Sequence, residues 1–130
     1  MCQLFIGANR ELWQSSTRSM RVDGVVTSIR LETFFWDTLE EIGFREDLSV
    51  SQLITKLYLE SIEAGHNISN FTSFLRVCAG RYLALIADEK LQRDMSASLA
   101  NVDADGLIGE EDSLREQRKA LFAKKELAIQ

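Results

Sequence analysis

The sequence predicts a mainly α-helical protein carrying one short β-ribbon. Three observations predict it. Residues 18–31, RSMRVDGVVTSIRL, alternate apolar or β-branched residues with polar ones around Asp23-Gly24. Residues 33–46 set Phe35, Trp36, Leu39 and Ile42 at helical spacing. Ser49-x-x-Gln52 is a capping box ahead of a second apolar stripe.

Each element follows from local chemistry. Asp23-Gly24 suits a type I′ turn, which pairs Val22 with Val25 and Arg21 with Val26. One face of the hairpin then carries Met20, Val22, Val25, Thr27, Ile29 and Leu31. The other carries Thr17, Ser19, Arg21, Val26, Ser28 and Arg30. Glu32 or Thr33 caps the first helix, and a break follows at Asp47-Leu48. The second helix lines up Val50, Leu53, Ile54, Leu57 and Tyr58 and ends near Ala64-Gly65. A loop is expected over 66–69. Ser69 or Asn70 then caps a third helix running to about Ala97, with Phe71, Phe74, Leu75, Cys78, Tyr82, Leu85 and Ile86 on its buried side. Residues 101–112 read as an acidic loop, and 113–128 as a charged helix with sparse apolar positions, Leu114, Leu121, Phe122 and Leu127.

Composition narrows the function classes. The 130 residues are 45% hydrophobic and 27% charged, enough for a packed core. The absence of proline and the scatter of seven glycines exclude collagen-like and linker classes. No apolar run approaches the roughly 18–20 residues of a membrane span, and no basic region opens a secretory leader. Cys2 and Cys78 make neither a disulfide framework nor a zinc quartet, so a reduced, cytoplasmic protein is expected. The net charge of −5 is unevenly spread: residues 1–32 carry +1, with arginine as every base, while 33–87 and 88–130 each carry −3. Arginine suits phosphates and guanine edges because its planar fork bonds bidentately.

A strand, a helix, a capped turn and a second helix resemble a ribbon-helix-helix domain. The resemblance is carried by TSIRLE, FFWDTLEEIGFRED and LSVSQLITKLY, with eighteen residues from Leu31 to Ser49. Residues 1 to about 86 further resemble a bacterial subfamily that opens with an MCQLF-type segment and adds a third helix like NFTSFLRVCAGRYL. The resemblance implies a ribbon-helix-helix dimer with additional C-terminal helices. Its segments are an N-terminal stretch at 1–17, the domain with its third helix at 18–90, and a charged tail with an acidic hinge at 91–130.

It also implies a homodimer that sets a β-ribbon in the DNA major groove and regulates transcription without catalysis. Val26, Ser28 and Arg30 would face base edges. Ser49, Val50 and Ser51 would hold a phosphate at a helix N-terminus, and Arg18 and Arg21 would clamp phosphates beside the groove. The turn between the two helices departs from the family pattern, with Asp47 standing where glycine is usual. The hairpin is the other departure, because two strands per chain make a dimer sheet of four. Either the outer strands twist away, or residues 17–22 form an arm, or the widened sheet or the tail docks a protein partner.

Residues 101–112, NVDADGLIGEED, also follow the spacing of a calcium loop, with Asn101, Asp103, Asp105 and Asp112 as donors. The alternative is an acidic hinge whose Asp and Gly residues make turns. No other cofactor is expected. His66 is the sole histidine and reads as a loop residue, Cys78 as a small core residue, and Glu40-Glu41 and Glu110-Glu111 as solvated surface.

Overall fold

A computed structural model describes residues 1–67 and 69–129; Ile68, inside the loop expected at 66–69, lies outside them. A short helix α1 (Cys2–Ile6) and a 3₁₀ turn (Arg10–Trp13) precede a hairpin of β1 (Ser15–Val22) and β2 (Val25–Glu32). Helices α2 (Thr33–Arg45), α3 (Val50–Glu63), α4 (Phe71–Ala87) and α5 (Ala104–Ile129) follow. The protein is mainly helical with a two-stranded antiparallel ribbon.

The hairpin has the expected register, Val22 opposite Val25 and Arg21 opposite Val26. Asp23 and Gly24 take φ of +52° and +78°, the two left-handed residues a type I′ turn requires. Its inner face delivers Met20, Val22, Ile29 and Leu31 to the core, where they meet Trp36 and Leu39 of α2, Leu53 and Ile54 of α3, and Leu75 and Ala79 of α4. Trp36 Nε1 donates to the Ser16 carbonyl at 3.0 Å, joining α2 to the strand its ring packs beneath.

Three helices end alike. Leu48 N–H donates to Gly43 O, His66 N–H to Ser61 O and Lys90 N–H to Leu85 O, at 2.8, 3.0 and 2.8 Å, each the long-range bond of a Schellman motif. The left-handed residue at these ends is Asp47 (φ +55°), Gly65 or Glu89 (φ +60°). Gly43 is required for close approach: a Cβ there would lie 2.7 Å from the Leu48 carbonyl oxygen.

Two boundaries differ from expectation. The third helix stops at Ala87, not near Ala97, because Glu89 turns left-handed and Lys90 closes the end. The last helix starts at Ala104, inside the segment expected to be a loop, and Gly106 N–H donates to Asp103 Oδ1 at 3.2 Å across its first turn. Among the described residues, no helix is long and apolar enough to cross a membrane.

Candidate nucleic-acid interface

The hairpin's outer face is built by strand alternation. Opposite residues across the ladder share a face, so Thr17 pairs with Arg30, Ser19 with Ser28 and Arg21 with Val26. All six are exposed, and the two serine hydroxyls lie 3.3 Å apart. The same register sets Arg18 opposite Ile29, on the inner face. Its guanidinium carbon lies 4.5 Å from the centre of the Trp36 ring and its Nη2 bonds Glu40 at 3.2 Å. Arg18, expected beside Arg21 as a phosphate clamp, therefore lies on the opposite face from Arg21 and is already paired with Glu40. The pairing already contained this result, since a residue opposite Ile29 must share its side of the sheet.

The arginines differ in their partners. Arg18, Arg76, Arg81, Arg93 and Arg118 are ion-paired with Glu40, Glu32, Glu111, Glu41 and Asp88. Arg45 is buried and donates to Tyr82 Oη and the Ala97 carbonyl. Arg30, by contrast, has no ion-pair partner among the described residues, and Arg21 reaches only the Gly24 carbonyl, at 3.5 Å. The two bases on the outer sheet face are thus free to meet an anion. Glu32, at the end of the same strand, is held by Arg76, whose bidentate contact keeps its carboxyl below the ordinary range.

Beside the hairpin stands the N-terminus of α3. The capping box is complete: Gln52 N–H donates to Ser49 Oγ at 3.1 Å and Ser49 N–H to Gln52 Oε1 at 2.9 Å. The N–H groups of Val50 and Ser51 have no acceptor among the described residues. Arg21, Ser51, Gln52, Thr55 and Lys56 line one groove, whose far end carries Glu60 and Glu63. Thr55 Oγ1 donates to the Arg21 carbonyl at 3.2 Å and ties strand to helix. Lys56 was missed in the sequence; its place four residues after Gln52, on the same helix face, is the signal that finds it.

The hairpin leaves one edge open. A two-residue turn makes its closing pair hydrogen-bonded, and such pairs alternate along the ladder. Val26, Ser28 and Arg30 therefore direct their backbone groups away from β1, where the two-stranded sheet ends.

A ribbon-helix-helix domain profile matches residues 15–83. The chain belongs to the ribbon-helix-helix domain family. The match opens at Ser15 and closes within α4, so both strands and the third helix as far as Leu83 fall inside the match. An uncharacterized protein of Bordetella pertussis Tohama I has a solved structure similar to this one, with 44% identity and a TM-score of 0.78 over 82% of this chain and 86% of that one. Curated proteins give no match. The ribbon-helix-helix family is in general one of non-enzymatic, dimeric DNA-binding regulators.

The calcium-loop spacing is not realised. Asn101 and Asp103 precede α5, whereas Asp105 and Asp112 lie within it. Seven residues of helix separate those two by about 10 Å along the axis, too far to share an ion. Among the described residues, no cluster of three His, Cys, Asp or Glu side chains is placed to hold a metal. Nor are Glu41 and Glu111 plain solvated surface. Glu41 accepts from Arg93 and from the Tyr82 hydroxyl, and Glu111 accepts from Arg81 at 2.6 Å. Arg93 holds the Glu41 carboxyl below its ordinary range, and Arg81 does the same to Glu111. Cys78 is half-buried, and burial pushes its thiol up.

Proposed function

We propose that this ribbon-helix-helix protein is a sequence-specific transcriptional regulator of the cytoplasm that binds operator DNA as a homodimer. The observation that carries the reading is the outer strand face, where Arg30 and Arg21 are exposed and unpaired among the described residues, while the one acid of that face, Glu32, is held by Arg76 and four further arginines are ion-paired. A second copy pairs on the open edge of β2, so that two copies of Val26, Ser28 and Arg30 form the central ribbon. Arg30 reads guanine, Ser28 accepts or donates to a base edge, and Val26 meets a thymine methyl. Arg21, Lys56, Ser49 and the N–H groups of Val50 and Ser51 take phosphates on either side.

The resulting four-stranded sheet spans about 14 Å between its outer strands at ~4.8 Å spacing. That exceeds the ~12 Å major groove. The central pair therefore enters the groove while β1, tied to α3 through Thr55, lies along its rim. No chemistry is required of the protein.

Selection of bound sequences from a random duplex pool tests the reading. The expected result is a palindromic motif whose two halves match the dimer. Arg30→Ala should weaken binding to that motif roughly tenfold to a hundredfold. Arg21→Ala should weaken all sequences alike and flatten the salt dependence. Binding that enriches no motif and ignores Arg30→Ala overturns the mechanism.

A further inference from the structure

An open-sided cavity of about 440 Å³ lies between α4, the segment that follows it and the start of α5. Ile42 of α2, Cys78 and Leu85 of α4, Leu99 and Val102 of the connecting segment and Leu107 of α5 supply its apolar wall. The volume falls within the ~300–1,000 Å³ of small-molecule sites.

Two polar side chains reach the same wall, and both are engaged. Arg81 is gripped by both Glu111 oxygens at 2.6–3.1 Å, and the Tyr82 hydroxyl sits between Glu41 and Arg45. No unpaired charge among the lining residues waits for an ionic head group. A charged ligand would lose its hydration without gaining a partner, whereas an uncharged one loses little.

The wall facing α4 is attached by polar contacts. Arg81–Glu111 ties α5 to α4, and Lys90–Glu110 and Arg118–Asp88 tie it to the residues just past α4, while Arg45 and Glu46 of α2 and its C-cap bond the connecting segment at Ala97 and Leu99; α5 buries no side chain of its own. A segment held by exposed ion pairs opens more easily than one locked into a core.

We propose that this cavity is a binding site for one uncharged, mainly apolar small molecule, entering from its open side. The site lies outside the strand face assigned to DNA, and its occupancy is measured with no DNA present. Failure here therefore leaves the regulator reading untouched.

The test uses the full chain carrying Cys2→Ser, so that Cys78 is the one thiol, with 1-octanol and octanoate as probes. Calorimetry should show saturable one-to-one binding of 1-octanol. The alcohol should also slow reaction of Cys78 with a thiol-specific disulfide reagent. Octanoate should bind at least about tenfold more weakly, the cost of desolvating its charge. Leu107→Trp, which fills the cavity, should abolish binding at an unchanged melting temperature. If that variant fails to fold, Ala104→Phe on the same wall replaces it. Three results overturn the proposal: no saturable binding of 1-octanol, equal affinity for octanoate, or unchanged binding in a folded filled variant.

Discussion

The body from β1 to α4 and the helix α5 are attached by different physics. In the body, Leu31, Leu39, Ile54 and Leu75 are fully buried and Trp36 is 1% exposed. The 26 residues of α5 bury none, and Leu121, Phe122, Leu127 and Ile129 stand at least half exposed. What holds α5 is a row of ion pairs. Arg81–Glu111 and Asp88–Arg118 advance together along α4 with its C-cap and along α5, so α5 runs parallel to α4 and continues past its end. Apolar burial sums over every atom removed from water, whereas an exposed ion pair adds at most about 1 kcal/mol. The body should therefore set global stability and α5 should set local opening.

The largest expected effect breaks the body. Leu39→Ala should cost about 2–5 kcal/mol in denaturant unfolding, because Leu39 is fully enclosed by the core. Its counterpart in α5, Leu121→Ala, should change stability by less than about 0.5 kcal/mol. Equal losses would show that α5 is part of the cooperative core.

Glu41→Gln should come next, at roughly 1–3 kcal/mol, since it weakens charge-assisted bonds from Arg93 and removes the acceptor charge beside Tyr82. Its contribution is also pH-dependent. The folded carboxyl titrates below its ordinary value of 4.5, so the stabilisation is fully present above that value and fades as pH falls through the folded one. An acid-unfolding midpoint identical in wild type and Glu41→Gln would remove Glu41 from the account.

Smaller effects sharpen the comparison. Asp47→Gly should raise stability by up to about 1 kcal/mol, because glycine adopts the φ of +55° without strain. Glu111→Gln should shift global stability by less than about 1 kcal/mol yet speed protease cleavage within residues 88–103. Unchanged cleavage would mean that the other ion pairs hold α5 alone.

Local signals were legible wherever chemistry repeats within a few residues. The hairpin register, α2, the capping box and the start of α4 all lie where expected, because period, turn residues and caps act over one to five positions. The end of α4 was not legible. Glutamate carries no signature of a left-handed C-terminal residue, and what closes that helix is a backbone bond from Lys90. The start of α5 was hidden among aspartates that also match a calcium loop; one of them, Asp103, bonds the first turn instead. For the candidate interface, the outward set was readable from alternation, but the freedom of Arg30 was not, since it depends on where every glutamate of the chain has gone.

The sequence by itself determined the ribbon, the presence and order of the main helices and the face of the strand residues, since backbone geometry imposes periods of two and 3.6 on any chain. Only the tertiary structure decided which charges are spent and which are available. It set Glu41 against Arg93, Glu111 against Arg81 and Arg18 over Trp36, and it left a cavity behind α5. Those pairings join residues up to 52 positions apart, and a long-range ion pair leaves no periodic trace in the chain that forms it.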